Sequence, residues 1–347
     1  MSTPISTIYD LYHMRDDLTA DYHLVNDIDM SPIAYPNIEG WEPGTYSEGD
    51  IVTIDLGGGD FGVYYCVVST TTEEPGVGVD WEYWWTDRYP PLTQVWGWES
   101  AIGEQFTGEF DGGGHTISNF VHHRPDAGNA LLPQLSSTAD VHDLRIVGVN
   151  IGSLGTNQYR AALTGRNYGT IERCSVTGVI DTAGGWYYGA IAGRQSGGVI
   201  RDCYSNVTIT GDGVSNLIGG ITGQVQSGTM ENCYHTGSVT NDGDGTPGAL
   251  TGGSNGTVTD CFYDNENSGG AAGEGTGLTE VNMKLRASYT EGGPDWDMIP
   301  IAQHDGEQET AIWYIDDGND YPRLWYELSE APAVDYPMPH YIYGDGR

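Results

Sequence analysis

The chain has 347 residues, with 13 Lys plus Arg against 49 Asp plus Glu, a formal net charge of −36 and one lysine, Lys284. Charge of that size and sign argues against direct contact with nucleic acid or an anionic membrane surface, since both would be repelled. Disorder is disfavoured too, because 23 Tyr, 10 Trp and 38% hydrophobic residues are enough to build a packed protein whose carboxylates coat its surface.

From the N-terminus, MSTPISTIYDLYHMRDDL has neither a basic start nor the apolar run of a secretory signal. No stretch approaches the roughly 18 apolar residues that a transmembrane helix needs, so no membrane insertion is expected. The sequence therefore reads as a soluble product made in the cytoplasm, or a mature form. An extracellular role then needs a route other than Sec secretion, such as release by lysis within a virus particle. Residues 5–18 place Ile8, Leu11 and Met14 on one side of a short helix, with Ser6 or Thr7 as its cap. YHLVNDIDM, residues 22–30, alternates as a strand. This opening segment, 1–40, is read as the cap and first strands of a solenoid whose open edge the helix covers.

Over residues 41–94 the composition shifts, with Trp41, Tyr46, Tyr64, Tyr65, Trp81, Tyr83, Trp84 and Trp85 crowded together. This reads as a small β module inserted into one solenoid loop. Its order, a W-x4-Y-x2-GD-x-V opening, a Y-x-C strand, a Pro-Gly turn and a closing Trp, resembles the small chitin-binding or cellulose-binding modules. That resemblance implies glycan contact through Trp81, Trp84 and Trp85, although the extra residues IDLGGGDFG depart from the pattern. Flat rings stack on sugar faces, but a module this small also needs aromatic rings for its own core, and both readings stay open.

The solenoid signal resumes at FTGEFDGGGHTISNF, residues 106–120, and becomes regular in GTIERCSVTGVI, GVIRDCYSNVTI, GTMENCYHTGSV and GTVTDCFYD. These four copies space Cys174, Cys203, Cys233 and Cys261 by 29, 30 and 28 residues, and an apolar strand (ALTG, AIAG, GITG, ALTG) precedes each. A fixed period of this length with glycine punctuation marks stacked units that bury their apolar faces only against one another. Extended backwards, the cysteine slot gives a column Phe120, Leu144, Cys174, Cys203, Cys233, Cys261. Because it accepts Phe and Leu, the slot is an apolar core position, and the thiols are read as small buried hydrophobes. Stacked side chains point the same way, which disfavours disulfides between neighbours, and no close C-x2-C pair suggests zinc. The fifth cysteine, Cys66, stands apart.

The loops DTAGGWYYG, DGVSNLIGG and TNDGDGTPG leave the solenoid at one corner, which places Trp186, Tyr187 and Tyr188 on one edge as a candidate glycan-binding patch. The same rings could instead pack on the inserted module. For catalysis, the best case is Asp202 with Asp260, two rungs or ~9.6 Å apart, near the upper end for an inverting glycosidase. Against it, Glu172, Arg201 and Glu231 alternate in sign, as in a salt-bridge ladder on stacked strands. His115 is read as turn chemistry, and NDGDGTPG, residues 241–248, lacks the spacing of a calcium loop. No catalytic residue, metal ligand or cofactor is assigned.

The motifs Y-x-L-x-N-D-I-D-M (22–30), F-T-G-x-F-D-G-x-G-H-T-I-S-N (106–119), the four cysteine repeats and W-x-I-D-D-G-x-x-Y-P-R-L-W (313–325) together resemble the GLUG-repeat proteins of bacterial adhesins, surface proteins and phage-like proteins. The resemblance implies an all-β chain: a right-handed parallel β-helix over 95–328 with a C-terminal cap, serving mostly as a scaffold, and residues 329–347 as an extended tail. The lysine-poor acidic coat resembles proteins of extreme halophiles. The combined reading is a non-enzymatic virion surface protein of a virus of halophilic archaea, a tail fibre, spike or capsid decoration. Its expected partners are a host surface glycan or glycoprotein and other virion proteins, with homo-oligomerisation open. A cell-surface adhesin and a polysaccharide-degrading hydrolase or lyase are the alternatives.

Overall fold

The computed structural model describes residues 2–30, 105–122, 130–132, 134–152, 159–181, 186–211, 217–241, 247–269, 273–303 and 311–330, and the backbone of 51–57, 60–66 and 85–89. Parallel strands stack into a β-helix. An eight-stranded sheet, here sheet I, runs from Thr3–Ile5 and Tyr22–Leu24 through Glu109–Asp111, Asp140–His142, Thr170–Glu172, Val199–Arg201 and Thr229–Glu231 to Thr257–Thr259. Each turn then passes a corner into sheet II, whose longest members are Arg145–Ile151, Ser175–Asp181 and Tyr204–Gly211. The return runs through the two-residue strands of sheet IV, Tyr159–Arg160, Tyr187–Tyr188 and Leu217–Ile218, into sheet III, which includes Thr164–Asn167, Ala192–Gln195 and Thr222–Val225.

The corner between sheets I and II explains the repeat chemistry. Asp143, Arg173, Asp202, Asn232 and Asp260 all take left-handed backbone, with φ between 49° and 53°. Asp and Asn tolerate that region better than most residues, and they fill four of the five positions. The next residue, Leu144 or a cysteine, then turns inward. Cys174, Cys203, Cys233 and Cys261 are reduced and at most 1% exposed. Each thiol lies 3.1–3.3 Å from the carbonyl oxygen two residues earlier, of Glu172, Arg201, Glu231 and Thr259. The slot thus rewards a small apolar group that is also a weak donor, which Leu144 is not. Burial pushes the Cys174 and Cys233 thiols upward in pKa.

Phe120 does not belong to that column. Arg145 pairs with Thr116 and Val141 with Phe110, which sets Leu144 beside His115, while Phe120 lies beside Val149. Phe120 is nonetheless fully buried. The Gly112–Gly113–Gly114 corner is longer than the corners of later turns, so the three-residue spacing from Ile117 to Phe120 matches the repeat only by coincidence.

In three of the four ALTG-like strands the glycine is set by sheet IV. A Cβ on Gly193, Gly223 or Gly252 would lie 2.4–2.7 Å from the backbone nitrogen of Arg160, Tyr188 or Ile218 respectively, so the two layers fit only without a side chain there. Inside the turn, Asn167 and Gln195 form a buried amide ladder, with Asn167 Nδ2 donating to Gln195 Oε1 at 2.7 Å.

At the N-terminus the helix is shorter than expected, Ile8–His13 with a single 3₁₀ turn after it, and the strand Thr3–Ile5 precedes it as the first member of sheet I. Thr7 is the cap. Its Oγ1 accepts from Asp10 N at 3.1 Å and its own N–H donates to Asp10 Oδ2 at 3.0 Å, a reciprocal capping box. Leu11 and Met14 are buried against the first turns, and Ile8 packs on them in part.

The inserted segment leaves after Ile28–Asp29 of sheet II and rejoins at Gln105–Phe106 of sheet III. It contains a separate antiparallel sheet of Ile51–Gly57, Asp60–Cys66 and Trp85–Tyr89. Trp85 begins its last strand, whereas Trp81 and Trp84, the acidic loop within 242–246 and the tail from 331 lie outside the described residues.

The C-terminal segment lies along the side of the β-helix. Sheet II presents Ser175, Tyr204, Tyr234 and Phe262 at successive outward positions, and an outward face with three such rings requires cover. Met283, Tyr289, Trp296, Met298, Trp313, Ile315, Leu324 and Tyr326 supply it in a second apolar cluster. This segment runs back along the corner, anchored by three indole N–H groups: Trp296 to Asp260 O at 3.1 Å, Trp313 to Asp202 Oδ1 at 3.2 Å and Trp325 to Asp143 Oδ1 at 3.2 Å.

Candidate functional site

The outward residues of sheet I form a ladder of alternating charge. His23, Asp111, His142, Glu172, Arg201 and Glu231 stand in register on consecutive strands. Arg173 closes a fork on Asp143, at 2.7 and 3.0 Å, and also pairs with Glu172, which Arg201 grips from the next rung. His142 donates toward Glu109 Oε1 at 3.0 Å and Asp143 Oδ2 at 2.9 Å, with Asp111 at 3.5 Å. The hydrogen bond to Asp143 and the surrounding carboxylates raise its pKa to about 9. Asp111, His142 and Asp143 converge closely enough to bind a cation. A protonated imidazole has no lone pair to offer, however, and Arg173 and Trp325 already occupy Asp143. The cluster is an ion-pair network.

The carboxylates of the glycosidase case are not equivalent. Asp202 is 5% exposed beneath Trp313, with Asn232 Nδ2 donating at 3.3 Å, and burial lifts its pKa to about 6. Asp260 is exposed. Trp313 therefore lies between Asp202 and any sugar that would reach both. A second pair is sealed inside the helix: Ser205 Oγ lies 2.8 Å from His235 Nδ1, and both residues are fully buried. Ser205 donates its proton to Gly220 O at 2.7 Å, so it is held as a donor to the backbone and His235 Nδ1–H must point at it. His115 closes the glycine corner through its N–H to Gly112 O, and its ring meets Asp27 at 3.3 Å.

With the first positions of sheet II covered by the C-terminal segment and sheet I occupied by its charge ladder, the outer face of sheets III and IV carries the remaining chemistry. Tyr159, Tyr187 and Leu217 form one outward column, with the two tyrosine rings stacked at 5.1 Å and 5°. Arg166, Arg194 and Gln224 form the next. The Arg166 guanidinium sits 4.8 Å from the Tyr159 ring and 5.4 Å from Tyr168, and donates to Tyr168 Oη at 2.7 Å. Arg194 lies 5.0 Å from the Tyr187 ring and contacts Tyr159 Oη at 3.5 Å and Gln226 Oε1. Trp186, at the rim, is 53% exposed.

Of the three residues expected on this edge, Trp186 and Tyr187 face outward and Tyr188 does not. Neighbours on a strand point to opposite faces, so Tyr188 is fully buried, 5.9 Å from the Arg160 guanidinium. Arg166 and Arg194 carry no expectation from the sequence reading. Their signal is the repeated T-G-R-N and A-G-R-Q, where a small residue, glycine and arginine recur 28 residues apart at positions 166 and 194.

Residues 184–210, which include Trp186, Tyr187, Arg194 and Cys203, match the family model of the GLUG motif. The chain is a parallel β-helix that carries a GLUG motif. Among solved structures it is similar to a protein of Bacteroides ovatus provisionally named an immunoglobulin A1 protease. That likeness has a TM-score of 0.55 at 18% identity, over 94% of this chain and 92% of the other. At that identity it speaks for the fold. No curated protein matches the sequence.

Proposed function

We propose that this GLUG-repeat protein is a non-enzymatic surface attachment protein, a rigid β-helix that presents a glycan-binding face on sheets III and IV and carries a small β module beside it in the chain. The observation that carries this reading is Trp186, 53% exposed at the rim of the Tyr159–Tyr187 stack, because an exposed indole face held at a rigid edge suits the apolar face of a sugar. GLUG repeats in adhesin-type scaffolds are consistent with it, and the covered Asp202 and the sealed Ser205–His235 pair favour it over hydrolysis or proteolysis.

The finer reading places the protein on the surface of a virus particle of a halophilic archaeal host, with a host glycan or glycoprotein and other virion proteins as partners. Its support is the net charge of −36 with a single lysine. An acidic coat of that kind suits concentrated salt, where screening limits self-repulsion.

The test is binding of the full chain to host envelopes and to a panel of purified polysaccharides, comparing wild type, Trp186→Ala and a deletion of residues 42–94. Reduced binding by Trp186→Ala or the deletion supports attachment. Unchanged binding by both, or release of sugar or peptide fragments, overturns it. Mass spectrometry of purified particles against cell envelopes separates the virion reading from the adhesin reading.

A further inference from the structure

Arginine is scarce in this chain, and several of the described ones sit against carboxylates. Arg173 and Arg201 grip Asp143 and Glu172, Arg145 lies 3.5 Å from Glu327, and Arg323 pairs with Asp320. Arg166 and Arg194 differ. Among the described residues neither has a carboxylate within ion-pair range; their partners are two tyrosine hydroxyls and the Gln226 carbonyl oxygen. The Nε atoms of both are shielded from solvent and have no hydrogen-bond partner. Both groups are partly exposed, so solvent screens them, and two adjacent cations with no carboxylate beside them leave positive charge open on this face.

The groups are also fixed in place. Each lies against tyrosine rings, and they stand in register on neighbouring strands, ~4.8 Å apart along the helix axis. A planar guanidinium carries parallel N–H donors that match a carboxylate in a fork. With Nε of both shielded, the terminal N–H groups not given to Tyr168, Tyr159 and Gln226 form a row of donors on consecutive rungs, beside exposed Trp186.

We infer that Arg166 and Arg194 form the anion-recognition element of this face and that its ligand is a polysaccharide of carboxylated sugars, a polyuronate, whose carboxylates meet the guanidinium groups while a sugar ring face lies on exposed Trp186. This rests on the glycan-attachment reading and adds the class of glycan. Recognition is short-range: the acidic coat repels a polyanion at distance, and ~0.15 M salt confines that repulsion to about 8 Å.

The experiment titrates the full chain by calorimetry in ~0.15 M salt with polygalacturonate, with dextran as the neutral polymer and with dextran sulfate as a polyanion without carboxylates. Polygalacturonate is expected to bind, dextran at least tenfold more weakly. The double variant Arg166→Gln/Arg194→Gln should lose at least tenfold in affinity for polygalacturonate while its thermal midpoint stays close to wild type. Arg166→Lys/Arg194→Lys, which keeps the charge but not the fork, should lose the preference for polygalacturonate over dextran sulfate. Equal binding of polygalacturonate by wild type and the Gln variant overturns the inference. So does equal or stronger binding of dextran sulfate by wild type, which would mark a response to charge alone. Strong dextran binding that is insensitive to the arginines but lost in Trp186→Ala would overturn the inference while preserving glycan attachment. Binding of no polysaccharide, with envelope binding also absent, removes both. Should the double Gln variant unfold, Arg194→Gln alone provides the affinity comparison, with a severalfold loss expected and unchanged affinity again overturning the inference.

Discussion

His235 offers a direct measure of how tightly the β-helix is closed. Its ring is fully buried, and desolvation lowers its pKa to about 4 from an ordinary 6.5. In the unfolded chain the imidazole takes up a proton as pH falls through 6.5, whereas the folded protein resists until about 4. Stability is therefore lost across that window, and the loss is complete below it. Integrated between pH 7 and 4.5, the difference amounts to about 2 kcal/mol. Asp202, raised to about 6, works in the opposite direction, because its folded state holds the proton more firmly and gains stability as pH falls through 6. His142, raised to about 9, has its full stabilising effect everywhere below 6.5. Both contributions are common to wild type and a His235→Leu variant and cancel between them. The assay is urea unfolding of the two proteins at pH 7 and 4.5 in the same salt. Wild type should lose about 2 kcal/mol more than His235→Leu over this interval, whatever the variant costs at pH 7. Parallel losses would show that water reaches the ring or that the site is not closed, and the argument from burial would fail.

Three further outcomes follow from the same geometry. Cys174, Cys203, Cys233 and Cys261 should resist a thiol reagent in the native protein and react together in denaturant; fast native labelling of more than one thiol, or a disulfide mass, would break the core-column reading. The Trp313→Phe variant removes the indole donor to Asp202 and should cost about 1.5–3 kcal/mol. A double-mutant cycle with Asp202→Asn should recover part of that cost, and additive effects would deny the contact. The thermal midpoint should rise from dilute buffer to molar KCl as the carboxylates are screened, and a flat or falling midpoint would remove the high-salt inference.

The repeat, the column from Leu144 to Cys261, the buried Leu11 and Met14 and the alternating Glu172, Arg201 and Glu231 were legible in the sequence. The reason is physical: in a solenoid each residue's neighbours lie one period away, so a regularity along the chain is already a list of contacts in space. The first corner escaped that logic, because its three consecutive glycines lengthen the turn and shift Phe120 out of register with the later repeats. Which tyrosine of the Tyr187–Tyr188 pair faces solvent was likewise undecided by composition, since one residue of register exchanges the faces. The contacts that settle the chemistry have no period. Trp313 reaches Asp202 across 111 residues and Trp325 reaches Asp143 across 182, so only the packed C-terminal segment turns these two carboxylates into buried acceptors. The same holds for Arg166 and Arg194. Their positions repeat in the sequence, but their setting among tyrosine rings, with no carboxylate beside them among the described residues, exists only where sheet IV folds against sheet III.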